Sequence, residues 1–196
     1  MKKLIYLVAI SASTFAFQGC NNSGTKDAKE NADSLNMVKD TTSDAMSTGG
    51  IAADASDAQF ATKAAVGGMA EVELGKLALT KTTDPKVKEF ANMMVQDHGK
   101  ANEELIAIAK TKNITLPTIV DDEHKKKMED LQKLSGADFD KQYAIAMVDG
   151  HESTLKLMQG ESKEGKDAEL KAFATKTAPI VQTHLTMITN ISKSLK

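Results

Sequence analysis

Asp84-Pro85-Lys86-Val87-Lys88-Glu89-Phe90-Ala91 and Asp167-Ala168-Glu169-Leu170-Lys171-Ala172-Phe173-Ala174 align without a gap, and Asp, Lys, Phe and Ala recur in register. Each segment reads as the start of a helix. The Asp carboxylate can accept from free N–H groups of the first turn, and Pro85 suits the first helical position because its missing N–H has no partner there anyway. A long stretch with a period near 3.6 precedes each segment, so each opens the second helix of a hairpin. Two hairpins of this kind predict four long helices.

Working outward, the first helix is expected over about 57–81, with Phe60, Ala64, Gly67, Leu74 and Ala78 on one stripe. Gly67-Gly68 inside it marks either a close helix contact or a local break. The second runs from Pro85 to near Lys112 on Val87, Ala91, Met94, Ala101, Leu105 and Ile108. After a connection at Asn113–Thr118, a short extra helix over about 120–134 carries Met128, Leu131 and Leu134, and Ser135-Gly136 ends it. The third long helix spans about 137–162 with Phe139, Tyr143, Met147, Thr154 and Met158. The fourth starts near Asp167 and uses Leu170, Phe173, Ala174, Ile180, Ile188 and Ile191, with Pro179 expected to kink or split it. No segment alternates with period 2. The expected fold class is all-α, an up-down-up-down four-helix bundle with a short extra helix between helices 2 and 3, occupying residues 56–196.

The caps also serve as rulers. Glu71 and His98 lie at nearly equal distances on either side of Asp84, and His151 and His184 do the same around Asp167. In an antiparallel hairpin equal distance from the turn means equal height. Glu71 should therefore face His98, and His151 should face His184, with the second pair about 4.5 Å farther from its turn at 1.5 Å per residue. Each of the four falls on its helix's apolar stripe, so all four point inward. Imidazoles with one carboxylate suit Zn, Cu, Ni or Fe, and Asp97, Asp149 and Glu152 are candidates to hold the rings from outside. The same four residues can instead form a buried hydrogen-bonded layer that fixes register.

Sharper chemistries fit poorly. Di-iron bundles take Glu-x-x-His pairs, and no Glu-x-x-His occurs; Val95, Val148 and Val181 stand three before the three bundle histidines. Asp121-x-x-His124 comes nearest but sits beside a Lys run, as a solvated face would. Copper held by thioethers would draw on Met69, Met93, Met94, Met147 and Met187, although Met at helical spacing ordinarily fills core gaps. No Ser-His-Asp or Cys-His arrangement and no Gly-rich phosphate loop can be argued, so no catalytic residue is assigned.

Composition narrows the partners. The chain has 196 residues with 25 basic and 27 acidic side chains, and every basic one is Lys. Without Arg there is no planar fork for phosphate, and a net charge of −2 offers no field for a polyanion, which excludes nucleic acid as an expected partner. The single Cys excludes an intrachain disulfide. Lys2-Lys3 followed by the mostly apolar Leu4–Phe17 reads as a secretory signal, too short for a spanning helix of about 20 residues. Phe17-Gln18-Gly19-Cys20 resembles a bacterial lipobox. Residues 1–19 are thus expected to be a lipoprotein signal peptide, with Cys20 lipidated. Residues 20–55, poor in large apolar side chains, are expected to be a disordered tether in which a short transient helix at Ser34–Lys39 is conceivable. Asn21 resembles no retention signal for the inner membrane, so the expected place is the envelope, lipid-anchored at the outer membrane.

Ala70-Glu71-Val72-Glu73-Leu74-Gly75-Lys76-Leu77-Ala78 and Val87–His98, then Leu116-Pro117, Leu131–Phe139, Met147–Glu152 and Leu170–Ala174 through His184, resemble domain-of-unknown-function family 4142, a group of predicted outer membrane proteins placed among ferritin-like folds. The resemblance covers about residues 57–190. It implies a ferritin-like four-helix bundle exported to the envelope, often as a lipoprotein, and it carries no established activity. The family's recurring acidic and His positions match Glu71, Asp97, His98, His151 and His184. The leading expectation is an envelope lipoprotein with a non-enzymatic structural or protein-partner-binding role, the partner unknown. The alternative is a metal-binding protein for sequestration or stress protection, using Glu71, His98, His151 and His184.

Overall fold

Aspartates set most of the helix starts. A computed structural model describes residues 26–40 and 53–195; the signal segment and Cys20 lie outside them. Asp84 accepts from Lys86 N and Val87 N, and Asp167 accepts from Glu169 N and Leu170 N, so the sequence repeat is a repeat of one cap geometry. Asp54 and Asp121 cap Ser56 N and His124 N in the same way. Each such cap contributes about 1 kcal/mol. The helices are α1 (Ala28–Asp40), α2 (Ala55–Lys81), α3 (Pro85–Thr111), α4 (Asp122–Gln132), α5 (Gly136–Glu164) and α6 (Ala168–Ser194). No strand occurs among the described residues, and no helix of the described residues is long and apolar enough to cross a membrane. Pro179 does not split α6, which continues through it. Gly68 reflects close approach rather than a break, since a Cβ there would overlap the Asn102 side chain of α3.

α2 packs on α3 and on α5, and α6 packs on α5 and on α3. Their directions follow from contacts at the ends. The α5–α6 turn sits at the start of α2, where Lys166 N and Asp167 N donate to the Asp57 carboxylate. Lys112, just past the end of α3, reaches Asp167 and Glu169 at the start of α6, 2.6 Å from each. At the opposite end, Lys81 of α2 donates to Gln132 O and Leu134 O, just before α5 begins. The order is therefore up-down-down-up, which corrects the expected up-down-up-down. The segment 112–135, with α4 in it, runs the length of the molecule instead of turning back at once.

Two apolar clusters fill the interior. One gathers the start of α2, the end of α3, the end of α5 and the start of α6 around Phe60, Leu105, Met158 and Phe173. The other gathers the opposite ends around Phe90, Phe139, Tyr143 and Ile188. Met94 and Met147 belong to the second cluster, the gap-filling role expected for Met.

The stretch expected to be a disordered tether is partly ordered. α1 buries Ala32 and docks mainly through polar side chains. Asn36 Nδ2 donates to Thr115 O at 3.0 Å and Asn36 Oδ1 accepts from Thr115 N at 2.8 Å. Lys39 donates to Asn113 O and Thr115 Oγ1, and Thr62 donates to Asp33. A count of large apolar residues does not register such a contact, because its adhesion comes from hydrogen bonds between complementary polar groups.

Candidate metal centre

Between the two apolar clusters lies a polar layer with one residue from each long helix: Glu71 of α2, His98 of α3, His151 of α5 and His184 of α6, all buried. The ring centroids of the three histidines are 5.2, 5.5 and 5.7 Å apart. Glu71 meets His98, as the equal count from Asp84 required, and His151 meets His184. The two pairs share one level although their turns are at opposite ends, because each pair lies near the middle of helices of 27 to 29 residues.

Each ring is held by one nitrogen. His151 Nδ1 donates to the Met147 carbonyl one turn earlier, at 2.8 Å. His184 Nε2 lies 3.1 Å from Asp97 Oδ2. His98 Nδ1 lies 2.8 Å from Glu71 Oε2, an ionic contact by distance, with the N–H directed off the oxygen, which has no hydrogen-bond donor of its own. Glu71 Oε1 accepts from Thr154 Oγ1 at 3.2 Å and lies 3.7 Å from His151 Nδ1. These outer contacts leave His98 Nε2, His151 Nε2 and His184 Nδ1 turned toward one another. His98 Nε2 and His184 Nδ1 are 3.3 Å apart, and His151 Nε2 is buried without a partner. One ring nitrogen from each histidine lies within 4.8 Å of the other two.

The charges follow from this arrangement. Burial works against an ionised Glu71, but the charge and contact of His98, then His151 and Thr154, outweigh it and bring its pKa down to about 2. Burial likewise works against a charged His98, yet Glu71 and Asp97 raise it above the usual imidazole value. Burial lowers His151. Burial and the neighbouring His98 charge lower His184 to about 4, against the pull of Asp97. The layer thus pairs an ionised Glu71 with a His98 ring pushed toward its charged form, beside two rings pushed toward the neutral form. A neutral imidazole offers a lone pair, and a cation held among the three inner nitrogens would take the place of a proton there.

Of the residues singled out from the sequence, Glu71, His98, His151, His184 and Asp97 come together. Asp149 and Glu152 do not; both are exposed on α5. Glu71 stands behind His98 as its outer partner rather than beside the inner nitrogens. Thr154 and the Met147 carbonyl escaped the sequence reading. A Thr on an apolar stripe reads as packing, and a backbone acceptor has no letter of its own, although the spacing of Met147 and His151 by one turn was a usable signal. Asp121 is buried as the cap of α4, so Asp121-x-x-His124 is not simply a solvated face.

Three imidazoles with carboxylate or carbonyl partners on their outer nitrogens are the donor set of Zn, Cu, Ni or Fe sites. With bonds of 2.0–2.1 Å, tetrahedral ligands sit about 3.3 Å apart, the spacing of His98 Nε2 and His184 Nδ1. No curated protein and no solved structure matches the chain. The pattern of the family described as "Domain of unknown function (DUF4142)" matches residues 40–191, most of the chain, and the protein belongs to that family.

Proposed function

We propose that this protein binds a divalent transition-metal ion between His98, His151 and His184, with Glu71, Asp97 and the Met147 carbonyl steering the rings from outside. One observation carries the reading: all three histidines are anchored by one nitrogen and turn the other toward a common space, where His98 Nε2 and His184 Nδ1 meet at 3.3 Å and His151 Nε2 has no partner. An architectural layer explains the anchored side of each ring. It does not explain why His151 Nε2 is left buried without a partner, which costs about 1–3 kcal/mol. The two antiparallel hairpins, joined by a single connection that runs the length of the molecule, support a ferritin-like four-helix bundle, a class that has one long crossover. Lys2-Lys3, the apolar run and Gly19-Cys20 support export and a lipid on Cys20, with metal sequestration or stress protection in the envelope as the role.

Thermal unfolding of the protein, purified without a histidine tag, tests the centre against Zn, Cu, Ni, Mn and Fe. A bound ion raises native-state stability by about 2.7 kcal/mol at a hundredfold excess over Kd. The expected result is a metal-specific rise that disappears in His98→Ala, His151→Ala and His184→Ala. No rise with any metal, and variants that are merely less stable, would make the layer architectural and restore the structural or partner-binding role.

A further inference from the structure

A cleft of about 650 Å³ separates the outer faces of α2 and α5 and is flanked by Lys29 of α1 and by α4. Its walls are lined by Gly67 and Ala70 of α2 and by Ala146 and Gly150 of α5, so small side chains keep it open. It reaches Glu71 and Thr154, which stand on the outer-nitrogen side of the His98 and His151 rings. Glu71 is only 4% exposed, and its Oε2, the oxygen without a hydrogen-bond donor, lies 2.8 Å from His98. His124 of α4 lines the same cleft with a side chain 25% exposed. Asp121 holds its Nδ1 at 2.5 Å, which leaves Nε2 as the free nitrogen. A carboxylate-held imidazole of this kind repeats the His184–Asp97 arrangement within the core.

We propose that this cleft is the access port of the metal centre: a divalent transition-metal ion is captured by His124 Nε2 at the rim, passes to the Glu71 carboxylate at the floor, and is delivered to His98, His151 and His184. The inference rests on the metal-binding reading above. The field in the cleft is mixed. Glu123 and Asp149 line it together with Lys63 and Lys127, and Lys29 is paired with Asp33. Selection along the route therefore comes from ligand atoms more than from net charge. A cation leaving water needs a donor at each step, and His124 and Glu71 supply one at each end of the cleft.

Stopped-flow uptake of Co²⁺ by the full chain, read by the visible absorption that rises on nitrogen coordination, tests the port separately from the centre. Gly67→Leu with Gly150→Leu fills the cleft. A Cβ at Gly150 meets nothing within 4 Å, and one at Gly67 meets Thr154 Oγ1 at 3.8 Å, so neither substitution starts from a clash at Cβ. His124→Ala removes the rim donor and leaves the α4 cap intact, and unfolding scans confirm that each variant is folded. The expected result is association slowed roughly tenfold, the low end of the range over which on-rates vary among variants of one site, with equilibrium affinity unchanged. Unchanged association rates would overturn the port and leave the centre standing, the ion then entering elsewhere, as beside the 34% exposed Asp97. A loss of equilibrium affinity in His124→Ala would also overturn it, because His124 would then belong to the final site. No uptake by the native chain would overturn port and centre together.

Discussion

Glu71 and Glu161 are both buried glutamates on long helices, 4% and 8% exposed, yet their carboxyls are pushed in opposite directions. Glu71 faces His98, His151 and Thr154, which overcome burial and bring it down to about 2. Glu161 sits near the turn between α5 and α6. There burial, then the charges of Asp57 and Asp167, push it up to about 7 against a weaker pull from Lys171. Its Oε1 has no hydrogen-bond partner. Burial raises a carboxyl's pKa in either place, and the partner set decides the outcome. The mid-core layer is built to keep a charge. The end cluster is built around a carboxyl that is readily neutral.

The comparison can be broken hardest at Glu71. Glu71→Ala breaks the buried Glu71–His98 pair, removing the charge that favours a protonated His98, and should cost about 3–5 kcal/mol in urea unfolding. Glu71→Gln, which keeps the shape, should cost less, and equal losses would mean that packing rather than charge holds the layer.

The pH response should separate the two acids next. The folded pKa of Glu161 is raised from 4.5 to about 7, so between those values the folded chain holds a proton that the unfolded chain has lost. Its contribution to stability is full below 4.5 and is lost as pH rises through about 7. Glu71 has the opposite sign. Its contribution is present above 4.5 and is lost as pH falls toward about 2. In Tm measured across pH, Glu161→Gln should remove the decline between 4.5 and 7 and leave the acid limb in place. A decline that persists in this variant would assign it to other groups.

The smallest expected effect lies at α1. Asn36→Ala removes the paired hydrogen bonds to Thr115 and should weaken docking by about 1–2 kcal/mol, each bond contributing about 1 kcal/mol. Amide exchange should show faster opening of α1 with the four long helices unchanged. Loss of protection across the whole chain would make α1 part of the core rather than an attachment to it.

Much of this architecture was legible in the sequence, because a helix writes itself locally. Asp84-Pro85 and Asp167 fixed two helix starts, apolar spacing fixed the inward faces, and counting from the caps placed Glu71 against His98 and His151 against His184. These are relations within one turn or across one hairpin, where 1.5 Å per residue is a sufficient ruler. Tertiary structure alone decided the rest. The direction of the second hairpin depends on whether residues 112–135 turn back or run the length of the core, and no local pattern encodes that path; Lys81 and Lys112 settle it through contacts at opposite ends. The docking of α1 rests on hydrogen bonds to residues far along the chain. Which nitrogen each histidine turns inward is set by what touches its other nitrogen: the Met147 carbonyl, Asp97 and Glu71. Composition and periodicity record which residues face the core. They do not record the orientation of a ring within it, because that is fixed by atoms contributed from other helices.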